Sequence, residues 1–451
     1  MKLSVREAAA RAGGVLGSAA QEARFGRVVV DSRQAGPDSL FVALPGTRTH
    51  GRHFVPAALG AGAAVLMAGP LPPEVDPARV WVHGDPLGAL GQVGRWALEQ
   101  CGARVVGITG SVGKSTTRSL VHAVLRRAFR VGATPGNLNT AIGLPMALVE
   151  QPVPLDWFVA EMAMRGPGEI RRLTAIAPPE VAVVTNIGYA HVGQLGSIEA
   201  VAEAKAEILA GLAPGGVAVL NRADPRVAAL ADRVRARIVW FGTSDAEVGV
   251  EDVRAEPGAV SFQLRMGADA APVRMAWDGV HHAANAGAAA AVGWALGLSL
   301  QAVAEGLSHS SSDDSHFRRR VVRGITILDD TYNASPASAL AGLAVLGAEG
   351  GHRIAVIGDM LELGPEEERL HREVGATAAR CADVVWGLGR RGRWVAEAAR
   401  GAGAAAEMFD TVAELAEALP RALAAGDAVY LKASRAVGLD RLAARLMEDP
   451  A

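Results

Sequence analysis

The chain has 451 residues, half of them apolar and 20% charged, which gives room for several cores and excludes wholesale disorder. Lys and Arg number 45 against 47 Asp and Glu, a formal charge of -2, so no overall basic field exists to draw nucleic acid. The two cysteines, Cys101 and Cys381, lie far apart and argue against a disulfide scaffold, favouring a reduced, cytoplasmic home. Residues 1–84 read as a small α/β unit, with strand-like runs at Arg27–Val30, Leu40–Ala43 and Ala64–Met67. The N-terminus carries Arg6 and Glu7 and lacks the apolar run of a signal peptide.

From about 85 to 308, strands and helices alternate, as a parallel sheet with crossover helices requires. Val105–Thr109, Trp157–Met162 and Val181–Thr185 are its clearest strands, and Ser115–Leu125 has helical character. Ala283–Leu300 is mostly alanine and glycine and contains Asn285, which suits a closely packed buried helix rather than a membrane span. The polar stretch Ser308–His316 reads as a boundary. From 313 to 451 alternation resumes at Ile325–Leu328, Ile354–Ile357, Val384–Leu388 and Ala428–Leu431, the pattern of a second doubly wound unit.

The sharpest local signal follows Val105–Thr109: a turn of Gly110, Ser111, Val112, Gly113, Lys114, Ser115 and Thr116. Glycines there let backbone N–H groups converge on phosphate oxygens. The helix N-terminus adds positive partial charge, Lys114 bridges the terminal phosphates, and the Ser115 hydroxyl suits Mg2+. Position 108 is isoleucine, so the pattern departs from the full phosphate-loop consensus. Glu161 ends an apolar strand, where an open parallel sheet faces its ligand. Asn186 and His191 follow the next strand, and Lys205 lies on a helix opened by Ser197. Taken singly, each has an ordinary reading: a surface carboxylate, an exposed imidazole, a solvated ammonium.

Together they resemble the Mur ligase family. Thr109–Ser115 is similar to the family's T-G-x-x-G-K-[ST], and Pro135–Thr140 resembles the loop whose asparagines, here Asn137 and Asn139, approach phosphate and substrate. Glu161 and His191 match the family's magnesium ligands, and Lys205 matches the lysine the family carbamylates. Gly279–Ala286 resembles G-x-H-N-x-x-N-A, which places Asn285 near adenine, although His282 stands where asparagine is usual. Asp329–Pro336 resembles D-D-x-Y-N-A-x-P, which places Asp330 near the ATP ribose and Asn333 near substrate. Arg318, in the run Arg318–Arg320, stands where the family has a nucleotide-reaching arginine, and Lys432–Arg435 resembles K-[GA]-S-R.

The resemblance implies three α/β domains. These are an N-terminal uridine-binding domain (1–84), a central P-loop ATPase-like domain with a parallel sheet (85–312) and a C-terminal Rossmann-like domain (313–451). It implies ATP and Mg2+, catalytic roles for Lys114, Lys205 and His191, and a metal set of Ser115, Glu161, His191 and Lys205. Asp31-Ser32-Arg33 resembles the uridine-domain motif, with Ser32 and Arg33 toward substrate. Ile357–Gly364 and Glu161–Ile170 look specific to the members that join D-alanyl-D-alanine to UDP-N-acetylmuramoyl-tripeptide. The Asp-Asn-Pro motif of the diamino-acid-adding members is absent, though that activity remains the nearest alternative. A non-catalytic nucleotide-binding protein is the alternative of another class. The expectation is a monomer with no membrane insertion and no nucleic-acid partner.

Overall fold

The computed structural model describes residues 1–311 and 317–448. The boundary expected at 312/313 and His316 beside the basic run lie outside the described residues. Three large sheets organise the described residues, beside a two-stranded antiparallel pair of Leu3–Ser4 with Arg24–Phe25. The first holds β1 (Val15–Leu16), β2 (Arg27–Val29), β3 (Ser39–Ala43), β4 (Ala64–Met67) and β5 (Trp81–Val82), in the order β1-β5-β4-β3-β2. All its pairs are parallel except β1 with β5.

The helix α1 (Pro86–Cys101) follows. Asp85 caps its start by accepting the Gly88 N–H at 3.0 Å, Pro86 suits the first turn, and Gly102 ends it in the left-handed conformation. Its apolar face, Leu90, Val93, Trp96 and Ala97, joins one cluster with Val28, Leu40 and Leu66 of the first sheet and Phe158 and Leu220 of the second. The first two sheets therefore share a core across this helix.

The second sheet contains β6 (Arg104–Thr109), β7 (Val131–Ala133), β8 (Trp157–Glu161), β9 (Val181–Val184), β10 (Val217–Asn221), β11 (Arg237–Phe241), β12 (Val248–Glu256), β13 (Ala259–Met266) and β14 (Asp269–Met275). Its order is β14-β13-β12-β11-β10-β9-β6-β8-β7. The strands from β7 to β12 run parallel, and central ones such as Val105, Val106 and Ile108 are buried on both faces, as covered parallel strands must be. β12, β13 and β14 instead pair antiparallel, so the strand–helix alternation expected up to 308 stops short. Two-way hairpins replace crossovers there because Pro257-Gly258 and Gly267, both glycines at positive φ, turn the chain tightly.

The phosphate-loop helix α2 (Lys114–Leu125) is backed by α3 (His281–Ala295). Ala286 and Ala288 to Ala291 are fully buried in α3, and the helix stops at Leu296-Gly297, short of the single run to Leu300 expected from sequence. Gly297 takes φ 76° and a separate helix covers Leu300–Ser308. The contacts are close: a Cβ on Gly306 would lie 2.7 Å from Val124 Cα. Small residues thus wedge α2, and the loop before it, into a fixed position. No helix among the described residues is long and apolar enough to cross a membrane.

The third sheet holds β15 (Arg318–Val322), β16 (Ile325–Asp330), β17 (Arg353–Gly358), β18 (Val384–Leu388), β19 (Ala405–Phe409) and β20 (Ala428–Lys432), ordered β15-β16-β20-β17-β18-β19. Only the edge pair β15/β16 is antiparallel. Successive residues of β17 enter opposite cores: Ala355 and Ile357 one, Ile354 and Val356 the other. A sheet with a core on each face is the doubly wound arrangement.

Candidate active site

Strand register brings the chemistry together. Glu161 on β8 pairs with Ile108 on β6, and Val184 on β9 pairs with Thr109. The carboxyl ends of these three neighbouring strands lie side by side. From them emerge the loop Gly110–Thr116, the Glu161 carboxylate, and the segment Thr185–His191.

That last segment holds the loop in shape. Asn186 accepts the Val112 N–H and donates to the Val112 carbonyl, both at 3.0 Å. Ser111 accepts the Gly188 N–H at 2.8 Å and donates to the Gly188 carbonyl at 3.2 Å. Thr185 Oγ1 donates to the Val112 carbonyl at 3.0 Å and sits so close that a Cβ on Gly110 would lie 1.9 Å from it. Gly113 takes φ 79°, and a Cβ there would lie 2.4 Å from Asn285 Oδ1. Asn285, expected near adenine, is therefore also a buried floor under the turn, 3.4 Å from Thr117 Oγ1. Gly113→Ala should destabilise the protein by about 1–2 kcal/mol from backbone strain alone. Denaturant unfolding checks this, and an unchanged midpoint would show that the turn tolerates a side chain.

Lys114 Nζ lies 2.9 Å from the Gly110 carbonyl and 3.3 Å from that of Ser111, so its charge is curled over the turn. Burial lowers its pKa and nearby Glu161 opposes the shift. Ser115 and Thr116, in the first turn of α2, are half-buried. Glu161 is 2% exposed. Its Oε1 accepts Asn139 Nδ2 at 2.8 Å, while Oε2 is buried without a hydrogen-bond partner among the described residues. The nearest cation to Oε2 is Arg118, at 3.8 Å, whose guanidinium is committed to the carbonyls of Thr134 and Gly136 at 2.7 and 2.9 Å. Arg118 was missed from sequence, although it stands four residues after Lys114 and so shares its helix face.

Lys205, read by default as a solvated lysine, is 2% exposed on the helix Ile198–Ala210. Burial pushes its pKa well below the ordinary lysine value, and the Lys114 charge pushes the same way. His191 is lowered by burial, with Glu362 opposing and Lys114 and Lys205 reinforcing the shift. Lys114 thus interacts electrostatically with each of Glu161, His191 and Lys205. Among the described residues no three His, Cys, Asp or Glu side chains cluster as a metal site. The expected set has one carboxylate, one imidazole, one hydroxyl and one lysine, and the partnerless Glu161 oxygen fits a cation.

The third sheet adds Asp330, whose Oδ2 lies 2.6 Å from Lys432 Nζ and accepts Tyr430 OH at 3.0 Å. Burial raises Asp330 and lowers Lys432, and each opposes the other's shift. His281 is lowered to about 4 by burial and by Lys432. His282, in the usual asparagine position, is buried against Trp277 and His281 with ring centroids 4.9 and 4.0 Å apart, a packing role. Arg319 pairs with Asp278 at 3.4 Å and with Glu349, so it is structural, and Arg318 is exposed. Asn137 and Asn333 are exposed, and Asn333 Oδ1 accepts the Ala334 N–H at 2.9 Å. In the first unit, Asp31 grips Arg33, Nε to Oδ1 2.9 Å, which holds the aspartate near pKa 2, while Ser32 is half-exposed beside them.

Three family models match: "Mur ligase family, catalytic domain" over 25–80, "Mur ligase middle domain" over 108–293, and "Mur ligase, glutamate ligase domain" over 316–435. A UDP-N-acetylmuramoyl-tripeptide–D-alanyl-D-alanine ligase from Bacillus subtilis is 34% identical, covering 94% of this chain and 93% of the relative. The enzyme of the same name from Escherichia coli is 33% identical, covering 82% and 83%. Among solved structures, MurF from Acinetobacter baumannii superposes with a TM-score of 0.90 at 30% identity, covering 100% of this chain and 99% of that one. MurF from Thermotoga maritima in complex with ADP gives 0.82 at 29% identity, covering 92% and 96%. With its phosphate turn, flanking carboxylate, histidine and lysine in place, and with relatives matched along nearly its whole length, the chain belongs to the Mur ligase family.

Proposed function

We propose that this chain joins D-alanyl-D-alanine to UDP-N-acetylmuramoyl-tripeptide at the cost of ATP, in the cytoplasmic stage of peptidoglycan precursor synthesis. The observation that supports this reading is the Gly110–Thr116 turn beside Glu161 at the carboxyl ends of β6 and β8, with Lys114 acting electrostatically on His191 and on Lys205 of the helix Ile198–Ala210, in a chain matched over 94% of its length by a ligase named for that reaction. The working division is 1–84 for the uridine nucleotide, with Ser32 and Arg33 facing it, 85–312 for ATP, and 313–451 for closure over both.

A carboxylate does not react with an amine because oxide is a poor leaving group. The tripeptide carboxylate oxygen attacks the γ-phosphorus, the bond to ADP breaks, and an acyl phosphate forms. The amine of D-alanyl-D-alanine then attacks the acyl carbon and phosphate leaves. The backbone amides of Gly110–Thr116 and the Lys114 ammonium hold the phosphates and offset the charge that builds on the transferring group. Asn139, bonded to Glu161, and Asn137 position the acceptor carboxylate. Asn285, Arg318 and Asp330 surround the nucleoside, and Asn333 contacts substrate from the third unit.

Mg2+ would be held by Ser115, Glu161, His191 and Lys205, and supplies charge neutralisation at the phosphates. An ammonium cannot ligate a cation, so Lys205 serves only after modification. Its neutral Nζ adds to the carbon of CO2, a proton leaves, and the carbamate offers oxygen. Burial without a compensating carboxylate among the described residues favours that neutral amine.

The test is phosphate release from ATP with a panel of UDP-peptides and acceptors. Release should require UDP-N-acetylmuramoyl-tripeptide and D-alanyl-D-alanine together. Sustained turnover on a UDP-dipeptide with a free diamino acid would replace this reading with the neighbouring one.

A further inference from the structure

His191 is touched by a carboxylate from another unit. Its Nδ1 lies 2.6 Å from Oε2 of Glu362, which follows β17 in the third unit. The second Glu362 oxygen accepts Gln194 Nε2 at 3.3 Å, and the Glu362 carbonyl accepts the Gly193 N–H at 2.8 Å. His191 and Glu362 take φ 68° and 66°, and both are non-glycine residues in the left-handed region. Such conformations persist where surroundings over-determine them.

The surroundings do so from both sides. Val192 and Leu363, next to the pair, are buried in the cores of their own units. The segment carrying Glu362 is pinned: Met360 N–H donates to His371 Nε2 and Leu361 N–H to Ser434 Oγ, each at 2.9 Å. The backbones meet at two glycines, since a Cβ on Gly193 would lie 2.9 Å from Gly364 N, and one on Gly364 would lie 2.9 Å from Gly193 Cα.

We propose that Glu362 is a positioning residue that the third unit presents to His191, fixing the imidazole for its role at the phosphates. This rests on the reading of His191 as a metal ligand. A carboxylate accepting the Nδ1 proton selects the tautomer with a lone pair on Nε2 and locks the ring plane. The metal site is therefore complete only when the third unit is docked, which ties acyl phosphate formation to closure over the substrate.

The full chain tests this with Mn2+ as the probe, its free concentration read by electron paramagnetic resonance in the presence of a non-hydrolysable ATP analogue. Glu362→Gly removes the carboxylate yet adopts φ 66° without strain, so thermal stability should hold or rise. Mn2+ binding should weaken at least about ten-fold. Glu362→Gln, which keeps a neutral acceptor in place, should fall between, and Gln194→Ala, which touches the carboxylate but not the imidazole, should bind Mn2+ as the parent does. His191→Ala separates the two layers of the argument. If His191→Ala weakens Mn2+ binding and Glu362→Gly does not, the positioning role is wrong while the metal reading stands. If His191→Ala binds as tightly as the parent, the metal reading falls and the positioning role with it.

Discussion

Replacing Lys114 by alanine should lower the ligation rate roughly a thousand-fold, about 4 kcal/mol of lost transition-state stabilisation, while leaving the fold intact. The expectation follows from where the ammonium sits. Its hydrogen bonds are to the carbonyls of Gly110 and Ser111 in its own turn, and the turn is held independently by Asn186, Ser111 and Thr185. Removing the side chain therefore costs little structure. It also removes a cation that acts unfavourably on Lys205 and His191 and favourably on Glu161, opposing effects that should leave the thermal midpoint close to the parent's. What disappears is a positive charge aimed where negative charge accumulates during transfer. The loss should fall mainly on kcat, measured by phosphate release at saturating substrates. A Lys114→Ala variant ligating at the parent rate would remove the phosphate-loop assignment.

Lys205→Ala should reduce turnover roughly a hundred-fold or more, since a lost oxygen ligand at the phosphates is worth several kcal/mol. The distinctive part is the rescue. The lysine side chain fills buried space beside Lys114, so its truncation leaves a pocket of positive potential. Acetate or propionate should enter and restore part of the activity in a saturable manner, replacing the carbamate oxygens. Chloride at the same ionic strength should restore nothing. Parent-like turnover without added acid would take Lys205 out of the site, and a crippled variant insensitive to acids would leave the lysine a structural role only.

Much of this site was legible because its information is local. Val105 to Thr116 encodes a buried strand, a turn that only glycine fits at Gly113, and a helix start, all within a dozen residues. Glu161 ends β8, as its apolar run led the sequence reading to expect. The antiparallel strands β12 to β14 were not legible, because most of β12 is exposed and lacks the alternation that marks a half-buried strand. The burial of Lys205 could not be read either. Its helix is rich in alanine, and only the tertiary fold decides which face is covered.

Other features depend on partners far away in sequence. Glu362 stood inside a recognised motif, but its contact with His191 spans 171 residues. Setting Arg319 apart from Arg318 and Arg320 required Asp278 and Glu349, which claim Arg319 for ion pairs and leave the other two exposed. His282, where asparagine is usual, packs at a tilt against Trp277 and His281, neighbours that only the fold brings into view.

The most direct measurement is a crystal structure with Mg2+ and a non-hydrolysable ATP analogue. The account predicts the β- and γ-phosphates within hydrogen-bond reach of the amides of Gly110–Thr116 and of Lys114 Nζ, with Mg2+ on Ser115 or Glu161 and His191 beside the γ-phosphate. Phosphates bound elsewhere, or a metal held without Glu161 and His191, would contradict it.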